Sequence, residues 1–107
     1  MVMSDVVGEL PTKEEFSGQV DSVFRARVGD EGPAFDVRLV QFDEHVSNAV
    51  QENYSLLFRA PTDAPATQNV FRLEHKDLGQ LDLFLVPVKK DENGLYYEAV
   101  FNRFIGQ

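Results

Sequence analysis

An Asn-Gly dipeptide between two long apolar runs constrains this chain more than any other feature. Leu81-Asp82-Leu83-Phe84-Leu85-Val86-Pro87-Val88 leads into Lys89-Lys90-Asp91-Glu92, then Asn93-Gly94, and Leu95-Tyr96-Tyr97-Glu98-Ala99-Val100-Phe101 follows. Both central residues of a type I′ turn need φ > 0, which Asn and Gly tolerate, so the pattern predicts a β-hairpin with Asn93-Gly94 as its loop. That register sets Lys89 opposite Glu98, Val88 opposite Ala99 and Val86 opposite Phe101. It also turns the missing amide hydrogen of Pro87 away from the last strand, which predicts no neighbour, or a bulge, on the other side of Pro87. Leu83 to Val88 is apolar on both faces. One face fits a core; the other has to meet a helix, another part of a curled sheet or a partner protein.

The rest of the chain extends the same theme. Thr12-Lys13-Glu14-Glu15 matches a capping box, so a short helix is expected from Thr12 to Ser17, packing Phe16 against a sheet and stopped by Gly18. The apolar period then changes to two. Val23–Val28 reads as a strand, and a second begins at Ala34 or Phe35. Phe35, Val37 and Leu39 share one face while Val40 and Phe42 take the other, which predicts a β-bulge near Leu39-Val40 or burial on both faces there. Residues 43–53 are weakly patterned and read as strand end and loop, with His45 in the loop. Tyr54–Arg59 and Val70–His75 alternate as strands, 60–67 is a loop by composition, and Lys76-Asp77-Leu78-Gly79 is a tight turn with Gly79 suited to a left-handed position. The sum is a mainly β fold: a small antiparallel barrel or sandwich of about six strands with one short N-terminal helix. Residues 1–10 are expected to be a flexible N-terminus and 11–107 a single β-rich domain.

The bulk properties exclude more than they assign. A chain of 107 residues is one domain by size, and it has no cysteine, which removes disulfides and thiolate metal sites. No basic leader with an apolar core opens the sequence and no apolar run reaches the roughly 20 residues that span a bilayer, so a cytoplasmic protein is expected. The net charge is −8, and it is lopsided: residues 1–53 hold four basic and eleven acidic side chains, residues 54–107 six and seven. Phosphate-backbone binding needs clustered Lys and Arg, so neither nucleic acid nor an anionic membrane is an expected partner.

Candidate chemistry is sparse. The two histidines, His45 and His75, have Glu44, Glu74 and Asp77 beside them. Two histidines and a carboxylate can bind a divalent metal, but this spacing matches no ligand motif, and adjacent Glu74 and His75 point to opposite faces of a strand. The plainer role for His75 is capping the turn at Lys76–Gly79. Glu98 and Asn102 share a face of the last strand, with Arg59 and Arg103 as charge partners for a polar cluster; the plainer alternative pairs Glu98 with Lys89. Ser55 has no patterned base, and there is neither a nucleophile elbow nor a Gly-rich phosphate loop. The candidate ligand or partner residues are therefore Arg59, His75, Glu98 and Asn102, with no catalytic residue, metal or cofactor assigned.

Several segments carry a family resemblance: Tyr54-Ser55-Leu56-Leu57-Phe58-Arg59-Ala60-Pro61, His75-Lys76-Asp77-Leu78-Gly79, Leu85-Val86-Pro87-Val88 and Tyr97-Glu98-Ala99-Val100-Phe101-Asn102, with Thr12, Phe16 and Phe24 before them. From about residue 10 onward the chain resembles an uncharacterised family of small bacterial proteins classed only as a domain of unknown function. The resemblance implies a stand-alone domain, and an association with phage-tail-collar-like proteins implies a role in an assembly or its export. It supplies no catalytic residues. The leading expectation is a non-catalytic interaction or assembly module, with a protein partner or further copies of itself. The alternatives are a small-ligand-binding β-barrel, which needs an internal cavity of at least ~300 Å³, and a hydrolase or metal-dependent enzyme built on His75.

Overall fold

The structure, a computed structural model, describes residues 10–29 and 31–104. Apart from Leu10, the expected flexible N-terminus lies outside the described residues. One short helix, α1 (Lys13–Ser17), precedes six strands: β1 (Val23–Val28), β2 (Phe35–Ser47), β3 (Gln51–Ala60), β4 (Asn69–His75), β5 (Gly79–Asp91) and β6 (Gly94–Phe104). All pairings are antiparallel and the order β1-β2-β3-β6-β5-β4 closes into a barrel, because β1 pairs with β4 as well as β2.

Alternation explains the closure. Phe24 and Ala26, Val37 and Leu39, Tyr54, Leu56 and Phe58, Phe71 and Leu73, Leu81, Leu83 and Leu85, and Tyr97 and Ala99 all turn inward and are buried. The rings interlock: Phe24 meets Phe58 edge-on at 5.3 Å, Tyr54 stacks on Phe101 at 4.7 Å and on Phe42 at 5.4 Å, and Phe71 lies 4.9 Å from Tyr97. Phe42 reaches this interior because the expected bulge is present. Leu39 faces Phe58 and Gln41 faces Leu57, so Val40 is the extra residue that resets the phase.

Helix α1 lies against one end of the barrel. Thr12 accepts from the Glu15 amide at 3.1 Å and the Glu15 carboxylate accepts from the Thr12 amide at 2.9 Å, the expected capping box. Phe16 is wholly buried, 5.5 Å from Phe101. Gly18 ends the helix in a right-handed conformation, and the left-handed residue comes three positions later at Asp21, φ 79°. At the opposite end the loop over residues 61–68 folds back, and the Tyr97 hydroxyl donates to the Pro65 carbonyl. Burial pushes the Tyr97 phenol up to about 12.

Two expectations are corrected. The loop expected within 43–53 shrinks to a turn: β2 runs to Ser47 and β3 starts at Gln51, and between them the Asn48 side chain accepts from the Val50 and Gln51 amides, each at 2.9 Å. Residues 43–53 are all exposed or half-buried, so neither face selects apolar residues and the period-two signal is lost. His45 is therefore a strand residue, extra in a second register shift between Glu44 and Val46.

The hairpin register also differs. Asp91 pairs with Gly94, Lys89 with Tyr96 and Val86 with Glu98, so the loop is Glu92-Asn93 and Val88 is bulged. The Asp91 carboxylate accepts from the Asn93 amide at 2.8 Å and the Gly94 amide at 3.2 Å. Asp at the first position and Gly at the fourth is the preference of a type I turn, and neither loop residue has a positive φ. Lys89 consequently sits over the Tyr96 ring, 4.6 Å from its centroid, instead of pairing with Glu98. The gap beside Pro87 is present all the same: β4 begins at Asn69 opposite Leu85, so it offers Pro87 no partner.

Candidate functional site

His75 ends β4 and is buried. Its Nδ1 accepts from the Asp77 amide at 3.0 Å and from the Leu78 amide at 3.2 Å, the expected turn cap. A ring nitrogen accepting twice carries no proton, so the neutral ring holds its hydrogen on Nε2 and donates it to the Ser22 hydroxyl at 2.9 Å. Ser22 in turn donates to the Gln19 carbonyl at 2.7 Å. This Ser–His contact has the wrong tautomer for a general base, because the nitrogen facing the hydroxyl is already protonated. The ring's work is structural: it ties the β4–β5 turn to the segment entering β1. His75→Leu leaves two amides of that turn without an acceptor and is expected to cost about 2–3 kcal/mol by urea denaturation, whereas His75→Asn, whose side-chain oxygen can still accept, costs less.

The other candidates lie apart. Arg59, near the end of β3, is opposite Tyr96 and Arg38. Asn102, toward the end of β6, accepts from the Gln51 amide group at 2.9 Å. Glu98 is half-buried between Leu57 of β3 and Val86 of β5. The Arg59–Glu98 cluster does not form, and Arg103 approaches Glu52 instead, at 3.9 Å. Both histidines have serine partners: His45 Nε2 lies 3.1 Å from the hydroxyl of Ser55, itself only 5% exposed. Among the described residues no three His, Cys, Asp or Glu side chains group as metal ligands, and no helix is long and apolar enough to cross a membrane.

Charged clusters sit where they fasten elements together. The Lys13 ammonium lies 2.5 Å from the Glu44 carboxylate and 3.0 Å from the Ser47 hydroxyl, pinning α1 to the tip of the β2–β3 hairpin. Each partner shifts the other: hydrogen bonding raises Lys13 and lowers Glu44 from their ordinary values. A broad cleft of about 690 Å³ is lined by Asp21, Arg25, Asp36, Glu74, His75 and their neighbours, but Arg25 and Asp36 neutralise each other at 2.9 Å. The buried Tyr54 hydroxyl makes no close hydrogen bond among the described residues; desolvation pushes its phenol up, and the nearby Arg103 acts in the opposite sense.

What the barrel presents outward is more distinctive. Val70 of β4 pairs directly with Phe84 of β5, and they are 50% and 52% exposed; Val100 of β6 is 63% exposed. Between β5 and β6 runs a cleft of about 410 Å³ lined by Leu83, Phe84, Val86, Glu98, Val100 and Phe101, with Leu10 at its side. The second apolar face of Leu83–Val88 pointed to this surface. Val70 and Val100 were not legible as part of it, since their neighbours depend on strand order.

The profile of one protein family, Domain of unknown function (DUF6916), matches residues 11–101. The chain belongs to that family, in agreement with the resemblance carried by its segments. No curated protein and no solved structure matches the chain.

Proposed function

We propose that this chain is a non-catalytic protein-interaction module that docks through the outer face of β4, β5 and β6, within a larger assembly of the phage-tail-like or surface kind its family resemblance implies. One observation carries the reading: Phe84 of β5 and Val100 of β6, both more than half exposed, line an apolar cleft, and half-exposed Val70 of β4 pairs with Phe84 beside it. Exposed apolar side chains beside a cleft that Asp82 and Glu98 also line are a mark of a protein contact. The small-ligand alternative finds less support, because Tyr54, Tyr97, Phe16, Phe24, Phe58 and Phe71 fill the interior at under 2% exposure. The hydrolase alternative loses its base once His75 is committed to the turn. With a net charge of −8 the partner is a protein rather than nucleic acid or an anionic membrane. The cysteine-free sequence fits a cytoplasmic setting.

The test is a Phe84→Ser/Val100→Ser double variant against a Val23→Ser control. Both are expected to fold with stability within about 1 kcal/mol of the parent, since the side chains are largely exposed. Only the outer-face variant should lose proteins that co-purify with the tagged chain from its source cells. Equal loss from both variants, or retention by both, overturns the reading.

A further inference from the structure

Strands β5 and β6 stay paired from Asp91–Gly94 to Val86–Glu98 and then part. Beyond that point β5 pairs with β4 on its far side and β6 with β3 on its far side. The two edges that face each other across the cleft, residues 80–85 and 99–104, have no strand partner among the described residues. Backbone N–H and C=O groups along such an edge are a template for an added strand. The cleft's floor is apolar through Leu83, Ala99 and Phe101, and its rim is apolar through Phe84, Val86 and Val100.

Charge narrows the occupant. Two acidic groups line the cleft, Asp82 and Glu98. Asp82 is held by Arg72 at 3.0 Å. Glu98 is half-buried at the point where the strands part, and among the described residues it forms no ion pair: Lys89 lies over Tyr96 and Arg103 approaches Glu52. A half-buried carboxylate at the mouth of an apolar cleft favours a ligand that brings a cation. A second copy brings a further net charge of −8, which opposes self-association.

We propose that an extended segment of a partner protein, apolar on both faces and carrying one Lys or Arg that pairs with Glu98, adds as a strand to the open edge of β6 over residues 99–104. Main-chain hydrogen bonds give the affinity, the apolar floor and rim select the side chains, and Glu98 fixes the register. This rests on the outer-face reading above and specifies how that face binds.

The experiment uses dye-labelled, capped eight-residue peptides of valine and leucine with one central lysine, titrated against the full chain by fluorescence anisotropy. Comparison peptides carry glutamate in place of lysine, or N-methyl groups on alternate amides. The lysine peptide should bind and slow amide hydrogen exchange over residues 99–104. The glutamate peptide should bind at least about tenfold more weakly, and Glu98→Gln should weaken the lysine peptide by about fivefold. Methylation should abolish binding, because it removes the donors a strand needs. If the methylated peptide binds as well as its parent, strand addition fails while docking on the outer face stands. Failure of every peptide, with the Phe84→Ser/Val100→Ser variant still losing its co-purifying proteins, likewise overturns the strand and leaves the face. A concentration-dependent dimer abolished by the same variant, with no peptide bound, assigns the edge to a second copy and overturns the proposal.

Discussion

Gly94→Ala is expected to lower the stability of this domain by about 3 kcal/mol, a large share of the roughly 5–15 kcal/mol typical of a single domain. Gly94 opens β6 where that strand meets the end of β3, and Leu95 beside it pairs with Ala60. A Cβ on Gly94 would overlap the Ala60 carbonyl oxygen and come within 2.9 Å of Arg59 Cγ. The Arg59 side chain can swing away. The Ala60 carbonyl is backbone, fixed by ten consecutive β3–β6 pairs, and moving it breaks the ladder at the barrel's end. Overpacking in cores usually costs about 1–3 kcal/mol, and a backbone obstacle puts this case at the top of that range. Gly79→Ala is the comparison. It also replaces a glycine of positive φ, +77°, but a Cβ there meets nothing within 4 Å, so it carries conformational strain of about 1 kcal/mol alone. Urea denaturation of both variants checks this. Equal losses would mean that backbone conformation, and not the approach of Ala60, dictates glycine at position 94.

That comparison also explains why the hairpin was legible in kind but not in register. Asn93-Gly94 satisfies the sequence rule for a two-residue loop, yet Asp91 satisfies a competing one, and the carboxylate that accepts from two turn amides decides between them. The glycine is required by Ala60, 34 residues earlier in the sequence, which no local pattern reveals. The changed loop and the bulge at Val88 move Glu98 from Lys89 to Val86, and with that shift the expected charge pair disappears. By contrast, the bulge at Val40 was readable because apolar residues change face there, and the role of His75 because a turn's amides need an acceptor. The tip of the β2–β3 hairpin was not readable, since its side chains face water on both sides. The candidate surface falls between these cases: two apolar faces on Leu83–Val88 mark one face that the core does not take, while the cleft beside it exists only because β5 and β6 separate.

Phe16→Ala is expected to cost about 3–5 kcal/mol, the range for removing a large buried ring. A helix of five residues has no stability of its own. It persists because the capping box satisfies its first amides, Lys13 ties it to Glu44 and Ser47, and Phe16 enters the core. These contributions differ in size. Losing the Thr12 cap should cost about 1 kcal/mol, and the exposed ion pair is worth less in salt than out of it. Phe16 is different in kind, because it is wholly buried against Phe101, the ring stacked on Tyr54. Its removal leaves Phe101 and Tyr54 facing a void at the barrel's end. Water entering there would reach the Tyr54 hydroxyl, which makes no close hydrogen bond in the intact protein among the described residues. The variant should therefore show faster amide exchange over residues 13–17 and at Tyr54, together with a reduced urea midpoint. Tyr54→Phe in the same background separates the two effects: it should recover part of the loss if burial of an unsatisfied hydroxyl dominates, and none if water has already solvated it. A loss below about 1 kcal/mol for Phe16→Ala would show that the helix merely decorates the barrel, and that β1 to β6 hold their shape without an end cap.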